Sequence, residues 1–344
     1  LFPNPAFTAT SPDTDEPAVP CLLVQIEPSS AQRLRQRRRY RVRAWLVTSF
    51  SGTTPQGDLL WDSAEEAADQ TVTRDTLPKY LCQLKDSASD QLYQRGLLQP
   101  GFFIELLLPR ELLSEPFDQH GTLGVEHPIV VRCLERLQAV QLRERTSSGM
   151  LKITLANQPN RHGSAAAGSF LADAVLRQAL RYGRLREQAG KPCPELIELD
   201  LSPLTGSPIG AVAAWVGPQC SSGPSLWNWL IDSASDPLVC AVLAQAPADA
   251  PQSPQGDIFF DLLRGGVPTM LWSRGSPGSS VQALRELLPK TPWGEIPERV
   301  RAARREASTQ VGDHFGRDLT LLWDDPYRKP PIVPLQEPPL RNRK

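Results

Sequence analysis

Leu238–Arg274, LVCAVLAQAPADAPQSPQGDIFFDLLRGGVPTMLWSR, is the stretch from which the architecture can be read. The apolar run 238 to 245 is the length of a buried strand, and a loop holding Pro247, Pro251 and Pro254 ends it. Asp257 is placed to cap a helix over 257 to 264, Gly265-Gly266 to close it, and 267 to 272 to form a second strand. Strand, helix, strand with no room for a hairpin is a βαβ unit, so a parallel pair with a right-handed crossover is predicted.

The same grammar extends toward the N-terminus. Phe102 to Leu108 and Ile129 to Leu134 are near-continuous apolar runs joined through a short predicted helix over 110 to 117, which suggests parallel strands buried on both faces. Further forward the pattern changes. Cys21 to Ile26 reads as one strand and Tyr40 to Phe50 as another, with Tyr40, Val42, Ala44 and Leu46 on one face and Arg39, Arg41 and Arg43 on the other. These two are predicted to be antiparallel, with a short third strand at 57 to 61. Helical spacing marks 74 to 98, 170 to 188 and 280 to 288, a helical turn 226 to 231, and a helix opening at Pro297; further strands are expected at 197 to 201 and 319 to 323. The predicted class is α/β, a mixed sheet with βαβ units and an antiparallel N-terminal portion.

Proline divides the chain. Of 34 prolines, five lie in residues 1 to 20 and six in 326 to 344, so both ends read as proline-stiffened tails or linkers. The expected organisation is a tail at 1–20, a sheet-forming half at 21–142, a polar flexible insertion at 143–168, a second α/β half at 169–331 and a tail at 332–344. The first residue, Leu1, is followed by no charged-then-apolar leader, which reads as a piece of a longer chain. No apolar stretch approaches the roughly 18 residues of a membrane span. Six cysteines are scattered without a Cys-x-x-Cys pair, several inside apolar runs, which favours reduced thiols in a cytoplasm.

The net charge of −1 removes bulk electrostatics as a driver of nucleic-acid or membrane binding. Local charge is another matter. Seven arginines fall between Arg33 and Arg43, and the basic patch Arg37, Arg39, Arg41 and Arg43 is expected to be a solvated or partner-facing strand, with contact to a phosphate backbone as the alternative. A second basic helix, 297 to 307, carries Arg299, Arg301, Arg304 and Arg305.

Catalytic chemistry is sparse. Gly190-Lys191 has no glycine five residues before it and runs into Pro192, so a phosphate-binding loop cannot form, and Gly-x-Gly-x-x-Gly is missing. Leu319 to Asp325, LTLLWDD, ends in acids that then read as turn caps or partners for Arg328 rather than magnesium ligands. No histidine or cysteine spacing fits a metal, and no cofactor is expected. One nucleophile pair is conceivable: His162 and Cys220, 58 positions apart, each following an apolar segment as in a caspase-like cysteine peptidase. Finally, Glu105 and Arg132 interrupt apolar strands and would be costly to bury alone, so adjacent strands are expected to bring them together.

Taken in order, LLVQIEP (22–28), YRVRAWLV (40–47), FIELLLPRELLSEPFDQH (103–120), LGVEHPIVVRCLERL (123–137), GGVPTMLWSR (265–274) and LLWDDPYRKPP (321–331) resemble the C-terminal domain of the vWA-MoxR-associated proteins, or VMAP. The resemblance implies a component of bacterial NTP-dependent ternary conflict systems, acting with a MoxR-type AAA ATPase and a vWA-domain protein. In those systems the VMAP supplies sensing or adaptor regions next to a fused effector such as a peptidase. It implies no catalytic residue for this domain. The expected role is therefore a non-enzymatic regulatory or adaptor domain. Its partner or ligand surface is expected at strand ends, where α/β sheets place their crevices: Glu105, Arg110, Glu111, Asp118, Arg132, Arg136, Arg274, Asp324 and Asp325.

Overall fold

The computed structural model describes residues 19–29, 38–51, 54–63, 72–97, 101–138, 257–275, 277–289, 291–312, 314–325, 328 and 330–331, together with scattered positions between 178 and 247. Eleven strands form one mixed sheet, ordered β3-β2-β1-β5-β6-β11-β10-β9-β8-β7, with the short β4 (Val72–Thr73) also on β2. The mixed α/β class expected from the sequence is the one observed.

The front of the sheet is antiparallel. β1 (Cys21–Pro28) pairs with β2 (Arg39–Ser51), and β2 with the edge strand β3 (Thr54–Asp62). Along β2 the two-residue alternation holds where it was read: Tyr40, Val42, Ala44 and Leu46 are buried on one face, while Arg39 and Arg41 stand out on the other. From Ala44 to Val47 both faces are covered, because Trp45 and Val47 enter a second core on the opposite side.

On its other flank β1 begins a parallel block with β5 (Phe103–Leu108) and β6 (Ile129–Cys133). All eleven residues of β5 and β6 are buried, the signature of strands covered on both faces. A second parallel block comprises β7 (Ile197–Glu198), β8 (Ala213–Val216), β9 (Cys240–Leu243) and β10 (Thr269–Ser273). The crossover from β9 to β10 contains the helix Ile258–Arg264 predicted from its caps. The Asp257 carboxylate accepts from the Phe260 N–H at 3.2 Å, and Gly266, at φ +84°, turns the chain so that the Val267 N–H reaches the Leu262 carbonyl.

The last strand, β11 (Leu319–Trp323), does not lie at an edge. It fills the centre, parallel to β6 and antiparallel to β10, so the two parallel blocks run in opposite directions and meet at β11. Each block places its strand C-termini at a different end of this seam. Helices cover both faces. Numbered in chain order, α1 (Leu77–Gln94), the single turn α2 (Leu123–Glu126) and α3 (Ile258–Arg264) lie on one side, α1 burying Leu77, Leu81, Leu84, Ala88 and Leu92 at helical spacing. On the other side α4 (Pro277–Leu287) and α5 (Ile296–Thr309) bury Leu284, Leu287, Ile296, Val300 and Ala303.

Candidate functional site: two charged clusters at the ends of the central strand

At the C-terminal end of β11, three strands of one direction converge. Glu105 of β5 and Arg132 of β6, each 1% exposed, point to the same face and meet at 3.0 Å. The Arg132 guanidinium also lies 3.6 Å from Asp324, an ionic contact rather than a hydrogen bond, and donates to the main-chain carbonyls of Asp325 (2.5 Å) and Arg328 (2.6 Å). Arg136, one turn past β6, touches Asp324 at 3.3 Å and the Val267 carbonyl at 3.0 Å. Arg328 returns to Glu105 at 2.6 Å, Tyr182 donates to Asp325 at 2.7 Å, and Gln178 donates to the Asp324 carbonyl at 3.0 Å. Three arginines thus face three carboxylates, a neutral network in a site too dry to tolerate an unmatched charge. The acids of LTLLWDD are therefore consumed inside the fold. Arg328, expected beside them, also pairs with Glu105.

At the N-terminal end of β11, the buried Asp118 sits in a short 3₁₀ turn, Phe117–Gln119. Its carboxylate receives Arg304 of α5 in a short ion pair, Arg274 from the end of β10 at 3.3 Å, and the Thr320 hydroxyl at 3.4 Å. Arg274 is further tied to the main-chain carbonyls of Ser114 and Glu115, both at 2.7 Å, and Arg304 to that of Leu319. Burial pulls the Arg304 guanidinium below the usual arginine range, against the opposing pull of Asp118. Room for this packing depends on Gly124. A Cβ there would collide with the Asp118 carbonyl oxygen and lie 2.7 Å from Arg304 Nη1. Gly124→Ala is accordingly expected to lower the urea midpoint by an amount equivalent to about 1–3 kcal/mol with an unchanged m-value.

A third contact joins the blocks. Arg110 pairs with Asp257, and its guanidinium lies 5.3 Å and 5.2 Å from the rings of Phe259 and Phe260. Its main-chain N–H donates to Glu135, so Asp257 serves both as helix cap and as ionic partner. Glu111 is the most open member of the set, with its side chain 28% exposed while it accepts from Tyr40 at 2.9 Å and pairs with Arg38.

The structure therefore brings Glu105, Arg132, Arg136, Asp324 and Asp325 into one cluster, Asp118 and Arg274 into another, and Arg110 and Glu111 beside them. Arg304, Arg328 and Tyr182 complete the clusters without having been singled out as site residues. Arg304 had a readable signal, since it falls on the same buried stripe as Ile296, Val300, Ala303 and Ala307.

The basic patch is neutralised where it is described. Arg41 forms a two-pronged pair with Asp62 (3.1 and 2.6 Å), and Arg43 reaches Glu27 at 2.7 Å. Arg39 is exposed, and Arg37 lies outside the described residues. The nucleic-acid reading gains no support from this pairing. His162 and Cys220 also lie outside the described residues.

Burial governs the cysteine thiols and His127. It pushes the thiols of Cys21, Cys133 and Cys240 far up and that of Cys193 to about 12, so none is a ready nucleophile at neutral pH. Burial likewise lowers the pKa of His127, which stacks on Phe102 with ring centroids 4.2 Å apart, and outweighs the Phe102 carbonyl (3.2 Å) and Glu126, which favour the charged ring. A depressed histidine pKa means that the unfolded chain takes up the proton first. Stability is complete above pH about 6.5 and falls as pH drops below it toward the folded value. Acid titration of stability should show this slope, and His127→Gln should flatten it.

Among the described residues, no group of three or more His, Cys, Asp or Glu side chains could hold a metal, and no helix is long and apolar enough to cross a membrane. Fold and clusters together define an α/β domain in which two opposed parallel blocks are joined at a central strand and fastened by buried ion pairs. Residues 38–200 and 206–326 match the family described as the vWA-MoxR associated protein C-terminal domain, VMAP-C, and the chain belongs to that family. The family name ties such domains to vWA and MoxR proteins. No curated protein and no solved structure matches the chain.

Proposed function

We propose that this domain is a non-enzymatic regulatory and adaptor module of a bacterial conflict system, working in the cytoplasm with a MoxR-type AAA ATPase and a vWA-domain protein, next to a fused effector. The observation that carries the reading is the use of charge. At the strand ends, where an α/β enzyme presents reactive groups to solvent, these arginines and carboxylates are spent on one another across the seam. Such a device couples two halves of a domain rather than transforming a substrate. The raised thiol pKa values agree with that role.

A contact surface must be drawn from the accessible rim of the seam, the loop 110–115 and its neighbours, because reversal of Arg136 or Asp325 would leave a like-charge pair inside the protein. Glu111 is the chosen probe. In a reconstitution with the ATPase and vWA proteins, the natural chain should co-purify with them, and Glu111→Arg should weaken that association about tenfold while the chain stays folded, with a stability loss of about 1–2 kcal/mol from the lost Tyr40 and Arg38 contacts. An association unaffected by this reversal would remove the rim from the contact surface. Failure of the natural chain to associate at all would remove the adaptor role.

A further inference from the structure

We propose that the domain assembles head to tail with copies of itself, the exposed Tyr93 at the end of α1 entering a groove between α4 and α5 of the next copy. The inference concerns this chain alone and does not rest on the adaptor reading.

The groove has a volume of about 210 Å³. Leu287 of α4, Ala302 and Ala303 of α5, and Phe315 of the following 3₁₀ turn line it, the alanines leaving space that longer side chains would fill. Pockets for drug-sized ligands begin at roughly 300 Å³, whereas a cavity of about 150 Å³ already admits a benzene ring. The space therefore suits one aromatic side chain better than a cofactor. Its rim is charged, with Glu286 and Glu306 beside Arg299. Each acid accepts from a glutamine one turn away, Gln282 at 2.7 Å and Gln310 at 3.2 Å. Arg299 is exposed and, among the described residues, its side chain has no ion pair or hydrogen bond.

The matching feature lies at the end of α1. Tyr93 is 66% exposed, an open setting for a large ring. Leu97, 41% exposed, is held close to it by a tight helix end in which Gly96 takes φ +70° and the Leu97 N–H donates to the Leu92 carbonyl at 3.0 Å. The knob is thus ordered before it meets a partner, which lowers the cost of docking. Charges flank it in the sense that the groove requires. Asp90, one turn before Tyr93, is exposed and has no side-chain partner among the described residues, while Arg95 follows it and reaches Asp58 at 2.7 Å. An acid and a base on either side of an apolar knob complement a base and two acids around an apolar hole.

One chain cannot join these two surfaces by itself. α1 packs into the core on one face of the sheet, and α4 and α5 pack into the core on the other. Because knob and groove are different surfaces, the contact is heterologous: each copy gives its ring to one neighbour and its groove to another, building a closed ring or an open array.

Sedimentation velocity of the full chain over a concentration series should show reversible association with a dissociation constant on the order of 100 μM, as suits a small contact. Tyr93→Ser removes the knob and Ala302→Arg fills the groove, both at exposed positions. Each variant alone should be monomeric. Their mixture should give a one-to-one complex and nothing larger, because only one knob and one groove remain intact between them. A natural chain still monomeric at about 1 mM overturns the proposal. So does either variant assembling as the natural chain does, or a mixture that stays monomeric. If one of the two fails to fold, charge reversal at the exposed positions 90 and 299 decides. Asp90→Lys and Arg299→Glu should each weaken association at least about fivefold, and the double variant should recover it. Equal association by all four chains overturns the proposal. None of these measurements contains the ATPase or the vWA protein, so the co-purification result of the adaptor reading is independent of them.

Discussion

Replacing Asp118 with alanine lowers stability by about 3–5 kcal/mol, one of the two largest effects expected from any single substitution among the described residues. The reason lies in what is left behind. Asp118 is 1% exposed, and among the described residues it is the carboxylate that pairs with Arg304, itself 3% exposed. Arg304 would keep the Leu319 carbonyl, which satisfies two donors but supplies no negative charge. Its guanidinium is already disfavoured by burial, so losing the one opposing charge adds to an existing penalty. Arg274 is less exposed to this argument, because its side chain reaches solvent at 12% and several main-chain carbonyls hold it. Arg274→Ala should therefore cost less than Asp118→Ala, and Asp118→Asn, which retains an acceptor, should fall between them. Urea unfolding followed by tryptophan fluorescence would rank the three, Trp272 and Trp323 lying in the two strands at the seam. A cost for Asp118→Ala below about 1 kcal/mol would show that Arg304 is not dependent on this carboxylate.

This cluster shows what a single chain of letters can disclose. Local structure is legible where caps and periodicity act over a few residues. Asp257, Gly265-Gly266 and the flanking apolar runs specify strand, helix and strand because each signal lies within a turn or two of the element it limits. A charge inside an apolar strand is legible for a different reason. The cost of burying Glu105 or Arg132 alone demands a partner, and neighbouring parallel strands can supply one.

Position within the sheet is not legible in this way. Leu319–Trp323 is an apolar run that would suit any buried slot, and nothing local says that the last strand enters between β6 and β10. That placement is decided by contacts 193 and 201 residues apart in the chain, Arg132 with Asp325 and Gln119 with Thr320. Because the central location of β11 was hidden, so was the convergence of Asp118, Arg274 and Arg304 at one of its ends. By composition Arg304 is one arginine of a basic helix, with Arg299, Arg301 and Arg305. Only its place in the stripe Val300, Ala303, Arg304, Ala307 marks it as inward-facing.

At the opposite end of β11, Arg132→Met is expected to cost about 3–5 kcal/mol, and more than Glu105→Gln. Both substitutions remove one charge from a neutral set of six, but their local consequences differ. Without Glu105, Arg132 still faces Asp324 and two carbonyls, and a glutamine still offers an acceptor to Arg328. Without Arg132, the carbonyls of Asp325 and Arg328 each lose that donor, and Asp324 keeps Arg136 at 3.3 Å. The double variant Arg132→Met with Glu105→Gln should be less destabilised than the sum of the two, by about 0.5–3 kcal/mol, because removing both restores neutrality. It should not regain the stability of the natural chain, since Arg328 then loses the Glu105 carboxylate and the carbonyls of Asp325 and Arg328 lose the guanidinium. An isolated buried ion pair replaced by uncharged groups of similar volume can recover fully. Incomplete recovery in this cycle would identify the Glu105–Arg132 contact as part of a network that also fastens Asp325 and Arg328, whereas full recovery would reduce it to a self-contained pair.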